Sequence, residues 1–174
     1  MATTHTTAGK HRHEETDTRA KHEQEQVVRA GPTLATGVIA GFAGGIGFGV
    51  LMQNEGMLPV VASLVGGRTA SLGWVVHLAI AVFVGVSFAI IGISFAIFFA
   101  RAATGFLSST LFGLLYGAFW WVLGGLLLMP VWLGMKAFVI DEMAWKSLVG
   151  HLIYGALLGA VYGLVSPLLS RRRT

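Results

Sequence analysis

The sequence predicts an all-α integral membrane protein: four transmembrane helices arranged as two tandem helical hairpins of the same orientation, behind a disordered N-terminal tail. Three observations carry this. The chain of 174 residues is 55% hydrophobic and only 11% charged, whereas an ordinary soluble domain carries about 25%. Its charges crowd towards the ends: five basic and five acidic residues fall within residues 1–30, and three arginines sit at the close. Between them run four apolar stretches of about 20 residues or more, the length that crosses a hydrocarbon core of about 30 Å as a helix.

Residues 1–31 form the tail. The segment is rich in His, Thr, Glu, Lys and Gln and has no aromatic residue, so it buries too little apolar surface to offset its ordering entropy. His5, His11, His13 and His22 lie in it, but a solvated segment lacks the fixed geometry that a metal needs. No apolar leader run is visible in it, so span 1 itself is expected to direct insertion.

The four-helix domain occupies 32–174 and opens on Pro32, a residue suited to a first helical turn. Span 1 is 33–52, "TLATGVIAGFAGGIGFGVLM". Span 2, 72–99, is long enough to tilt, and the tight turn "ARAATG" leads to span 3, 106–129. Span 4, 147–169, is expected to end at Pro167, ahead of "RRRT". The longer connectors, 53–71 and 130–146, each hold a proline followed by a short apolar run, "NEGMLPVVASLVGG" and "LLMPVWLGMKAF". Such runs cannot span and are expected at the outer interface, with Trp74, Trp132 and Trp145 in its aromatic belt.

Lys/Arg counts set the orientation. The side with both termini receives nine basic residues and the connector side three, Arg68, Lys136 and Lys146. Both termini are therefore expected in the cytoplasm. The net charge of +4 follows from the scarcity of acids within the spans, and nucleic acid is not an expected partner. The absence of cysteine excludes disulfides, Cys-ligated zinc and c-type haem attachment.

The halves look alike. Gly41 and Gly45 match Gly113 and Gly117 at an offset of 72, Pro59 matches Pro130 at 71, and His77, Gly85 and Phe88 match His151, Gly159 and Tyr162 at 74. Such an internal repeat, each copy crossing twice, keeps one orientation, so its axis lies along the membrane normal. Every fourth residue along a helix follows one ridge. Gly37, Gly41, Gly45 and Gly49 lie on one in span 1, Gly113 and Gly117 in span 3, and Gly155, Gly159 and Gly163 in span 4. Span 2 contributes Gly85, with Ala81 and Ala89. These glycine zippers let helix backbones approach closely, the contact that drives association in lipid.

His77 and His151 head the small-residue ridges of spans 2 and 4, so they face protein at matching depth. The simplest role for each is a hydrogen bond to a neighbouring helix or to Glu55, Asp141 or Glu142. A pH-responsive pair and paired axial ligation of a b-type haem are the sharper alternatives. Glu55 is the lone acid between residues 26 and 140; it is expected to be solvated beside span 1, and a buried place would make it functional. Trp120 and Trp121 read as bulk opposite glycines. No nucleophile–base set, phosphate loop or carboxylate pair stands within the spans, so no catalysis, metal or cofactor is expected.

At "LFGLLYGAFWWVLGGLLLMPVWLGM" and "HLIYGALLGAVYGLV" the chain resembles small, uncharacterised four-span prokaryotic membrane proteins of the YqhR and YagU type, over about residues 33–169. The resemblance implies a prokaryotic cytoplasmic membrane protein without assigned catalysis, and transfers no active-site residue. The expected function is a non-enzymatic structural, accessory or stress-related factor. Its partner is the lipid bilayer, with a second copy or another membrane subunit as further partners. A small oligomeric channel or transporter, and a haem-binding electron carrier using His77 and His151, are the alternatives.

Overall fold

The computed structural model describes residues 33–98 and 106–171. The tail, the "ARAATG" turn and the last three residues lie outside them. Four long helices dominate: α1 (Thr33–Asn54), α3 (Ala70–Phe98), α4 (Phe106–Trp120) and α6 (Glu142–Arg171). The third span runs on from α4 through a π-helical stretch, Trp121–Leu128, into α5 (Met129–Trp132). The short α2 (Leu58–Ala62) and a 3₁₀ turn, Ser63–Val65, lie between α1 and α3. All four spans are long and apolar enough to cross a membrane. The outside of the bundle is apolar: Phe83, Leu107, Leu115 and Leu168 are each more than half exposed. In water such a surface would aggregate; against acyl chains it is the expected exterior. The chain is a four-span, all-α integral membrane protein.

Local chemistry sets the helix ends. α1 stops at Gly56, whose φ of +66° closes a Schellman turn with Gly56 N–H on Gln53 O (3.1 Å) and Met57 N–H on Met52 O (2.8 Å). Gly134 (φ +69°) ends α5 in the same way, with Met135 N–H on Pro130 O at 2.8 Å. Pro59 and Pro130 each sit in the first turn of a short helix. Pro130 has no N–H for Leu126 O, and that carbonyl instead accepts Phe138 N–H at 2.8 Å. Phe138 lies in a turn at φ +57°.

Two expected boundaries are corrected. The last span begins at Glu142 rather than 147, because Asp141 caps it through Oδ1 on Ala144 N–H, 2.8 Å. Nor does it end at Pro167, which lies inside α6. A proline at that point removes one backbone bond near the helix end, where few remain to be lost. The second connector shrinks accordingly to residues 133–141.

Backbone contact holds the helices together. A Cβ placed on Gly41 would lie 2.7 Å from Ala81 O, and one on Gly37 would lie 2.8 Å from Gly85 O. Gly45 abuts Ala81, and Gly49 takes the indole of Trp74. This whole ridge of α1 therefore faces α3. Between α4 and α6, Gly113 meets Gly155 O and, at 2.9 Å, Gly159 Cα; Gly117 meets His151 O; Gly163 meets Phe106 Cα at 3.1 Å. α1 also touches α6, with Gly44 against Tyr154 and Phe48 against Gly150.

Tyrosines tie the hairpins together. Tyr154 OH donates to Ala81 O at 2.7 Å. Tyr116 OH lies 2.7 Å from Ser87 Oγ and donates to Val84 O at 3.2 Å. Phe88 packs on both Tyr116 and Tyr162, with centroids 5.1 and 5.5 Å away. This fills the half of the bundle nearer the termini.

Candidate functional site: a chamber at the connector end

The other half of the bundle is not filled. His77, on α3, is buried and places Nε2 2.9 Å from Gly45 O on α1. A carbonyl only accepts, so the neutral ring carries its proton on Nε2 and keeps Nδ1 as an acceptor. His151, on α6, turns back on its own helix, with Nδ1 2.8 Å from Ser147 O and 3.4 Å from Ser147 Oγ. Its proton is then on Nδ1, and Nε2 is the acceptor. The Phe48 ring touches both imidazoles, with centroids 5.2 Å from His77 and 4.8 Å from His151. The two histidines thus share one patch of the interior.

The acids offered as partners for the histidines are engaged elsewhere. Glu55 is exposed and pairs with Lys146 at 2.6 Å, while Glu142 reaches the same ammonium at 3.1 Å. Asp141 caps α6. Among the described residues no group of three or more histidines and acids is placed to hold a metal ion.

Beside the histidines lies a cavity of about 580 Å³, within the size range of ligand sites. α1 contributes Phe48 and Met52 to its wall, the α2 segment Val61 and Leu64, and α3 Val76, His77 and Val84. On the opposite side stand Trp120, Gly124 and Gly125, and α6 adds Ser147, His151 and Tyr154. A smaller cavity of about 370 Å³, lined by Glu55, Met57, Asp141, Glu142, Met143 and Lys146, adjoins it and shares Met57, Asp141 and Met143. An apolar chamber therefore adjoins a charged vestibule at the connector end.

The π-helical stretch makes this room. Gly125, were it to carry a Cβ, would stand 3.3 Å from Ser147 Oγ and 3.4 Å from His151 Cε1, and Gly124 would meet only Trp120, at 3.6 Å. Gly125 thus lies close against α6, while Gly124 has open space on the chamber side. π-turns recur at functional positions.

Trp120, read from the sequence as bulk opposite glycines, stands apart from the other indoles. Trp74, Trp121 and Trp132 each donate their indole N–H, to Gln53 Oε1, Ala144 O and Leu64 O at 2.5, 3.0 and 3.0 Å. Among the described residues, Trp120 Nε1 is buried without a hydrogen-bond partner. The usable signal was "WWVLGGLLLMP": paired glycines and a proline after paired tryptophans mark an irregular helix beside one indole too many.

Compared with protein-family models, with curated proteins and with solved structures, the chain matches none.

Proposed function

We propose that this protein is a non-enzymatic accessory factor of the prokaryotic cytoplasmic membrane that holds one apolar molecule between its two hairpins. The chamber of about 580 Å³ carries the reading: it is apolar and walled by all four spans. Both termini lie in the cytoplasm on this reading, so the vestibule faces outwards. A reporter active only outside the cell, fused after Thr174, should be silent.

The hairpins are read as two copies of one unit. Gly41 seats on Ala81 and Gly85 in the first, and Gly113 on Gly155 and Gly159 in the second, which supports the offsets of 72 and 74. Phe88 and Tyr162, matched by the offset, touch each other, as residues beside a two-fold axis do. The haem alternative is not favoured. Axial imidazoles face each other across a macrocycle, whereas both rings here pack on Phe48 and each gives one nitrogen to a backbone carbonyl.

The test is purification in mild detergent, with solvent extraction of the sample. The expected result is a colourless protein carrying close to one lipophilic molecule per chain. Gly124→Leu, which grows into the chamber without meeting backbone, should lower that occupancy while keeping the melting temperature. Full occupancy in that variant would overturn the reading, and a Soret band would restore the haem alternative.

A further inference from the structure

Resting on that reading, we infer that the molecule in the chamber is one acyl chain of a bilayer glycerophospholipid. The chain enters sideways, through a window between α3 and the third span, and its phosphate stays beside Lys136 at the connector end. The edge of the chamber shows where it opens. Ile80 on α3, and Leu128 and Trp132 on the third span, line the chamber and yet are 44, 52 and 75% exposed. Residues that border a cavity and also reach the outer surface stand at its mouth. Ile80 lies ten residues into α3, about 15 Å along the helix and well within a hydrocarbon core of about 30 Å. The mouth therefore meets acyl chains rather than water.

Hydrogen bonds frame the window. Towards the termini, Tyr116 OH meets Ser87 Oγ and Val84 O; towards the connectors, Trp132 Nε1 donates to Leu64 O. Between these two ties, among the described residues, no hydrogen bond joins α3 to the third span. Gly124 stands in that interval and offers no side chain to close it. An empty apolar gap forfeits dispersion contacts, and water finds too few polar partners in it. In a bilayer the flexible apolar chain at hand is a lipid tail.

Lys136 sets the polar end. It is exposed and lines the chamber, and among the described residues it forms no ion pair. The charges around it are engaged: Lys146 holds Glu55 and Glu142, and Asp141 Oδ1 takes the Ala144 N–H. A phosphodiester beside Lys136 gains a charge-assisted hydrogen bond, which an uncharged lipophile does not.

The test uses the full chain in phosphatidylcholine vesicles doped with one of three probes sharing a diazirine-bearing tail: a phosphatidylcholine, a diacylglycerol or an alkane. After photolysis, mass spectrometry reads where each attaches. Met52, Val61 and Val84 line the chamber and are at most 5% exposed, so adducts there report a chain inside. Adducts on Phe83 and Leu115 report the outer surface. The phosphatidylcholine is expected to label the chamber wall about fivefold more than the diacylglycerol, the worth of one lysine at a lipid surface. Lys136→Gln should bring the two level. Ile80→Trp and Leu128→Trp, on opposite edges of the window, should each lower wall labelling by the phospholipid and leave Phe83 and Leu115 labelled. Wall labelling by the alkane alone would overturn the inference and leave the chamber standing as a site for a free lipophile. Full phospholipid labelling of the wall in both tryptophan variants would overturn the side entrance, and equal labelling by phosphatidylcholine and diacylglycerol in the wild type the role of Lys136. A wall untouched by all three probes, with the outer surface labelled, would remove the chamber reading itself.

Discussion

The two hairpins use matching small residues to bring their helices together, yet they finish differently. In the first, the glycine ridge of α1 runs in contact with α3 along its whole length, and His77 crosses to Gly45 O on the facing helix. In the second, Gly113 and Gly117 close on α6 in the same way, but beyond Trp120 the helix winds as π, and His151 bonds within α6. Both hairpins stay in contact past that point, since in the second Gly125 lies against Ser147 and His151 and Trp121 donates to Ala144 O. A single ridge pattern therefore specifies how closely two backbones meet, while the change of winding alters which side chains face the other hairpin. The chamber is lined from both hairpins.

The largest effects should come from forcing the closed regions. Gly85→Leu and Gly159→Leu each drive a side chain into backbone of the facing helix, at Gly41 Cα and Thr110 Cα, and each should cost about 3 kcal/mol. Similar falls in melting temperature in detergent would support the equivalence of the two ridges; an unchanged value for either would mean that its ridge faces lipid. Next comes Tyr154→Phe, which cuts the bond from α6 to Ala81 O and should cost about 1–2 kcal/mol.

The histidines sharpen the contrast further. His77→Leu removes a bond between helices and should cost about 1 kcal/mol. His151→Leu removes one within a helix and should cost less, so equal losses would argue against their different roles. His77→Gln should be mild, because an amide N–H can still donate to Gly45 O. The smallest effect belongs to Lys146→Met. Its exposed pairs with Glu55 and Glu142 should matter only at low ionic strength, and a clear loss of melting temperature at high salt would contradict that.

Much of the architecture was legible because lipid imposes strong rules. Span number and the glycine ridges follow from length, hydropathy and four-residue spacing. Glu142 and Lys146 were read as connector because they are charged; the Asp141 cap starts the helix ahead of both. Pro167 was read as a stop, but a proline in the last turns displaces little hydrogen bonding. That His77 and His151 face protein was readable, since both stand on small-residue ridges. Their bonding partners were not, because acceptors on a facing backbone leave no mark in side-chain identity. The chamber was hidden for a similar reason: glycine spacing reports contact, and in Gly124 the same residue type borders a gap.

α1 meets α3 through Gly37, Gly41, Gly45 and Gly49, and it meets α6 through Gly44, Gly47 and Phe48. During synthesis α3 follows α1 after a short connector and can seat at once. α6 emerges only after α4 has entered the bilayer. Until then the second face of α1 has only acyl chains against it, and Phe48 has neither Gly150 nor His151 to rest on. The bundle is thus completed by its latest helix docking on its earliest. A released chain ending before Glu142 would hold three spans and an α1 still bare on that side, the kind of unfinished surface that membrane quality control can recognise.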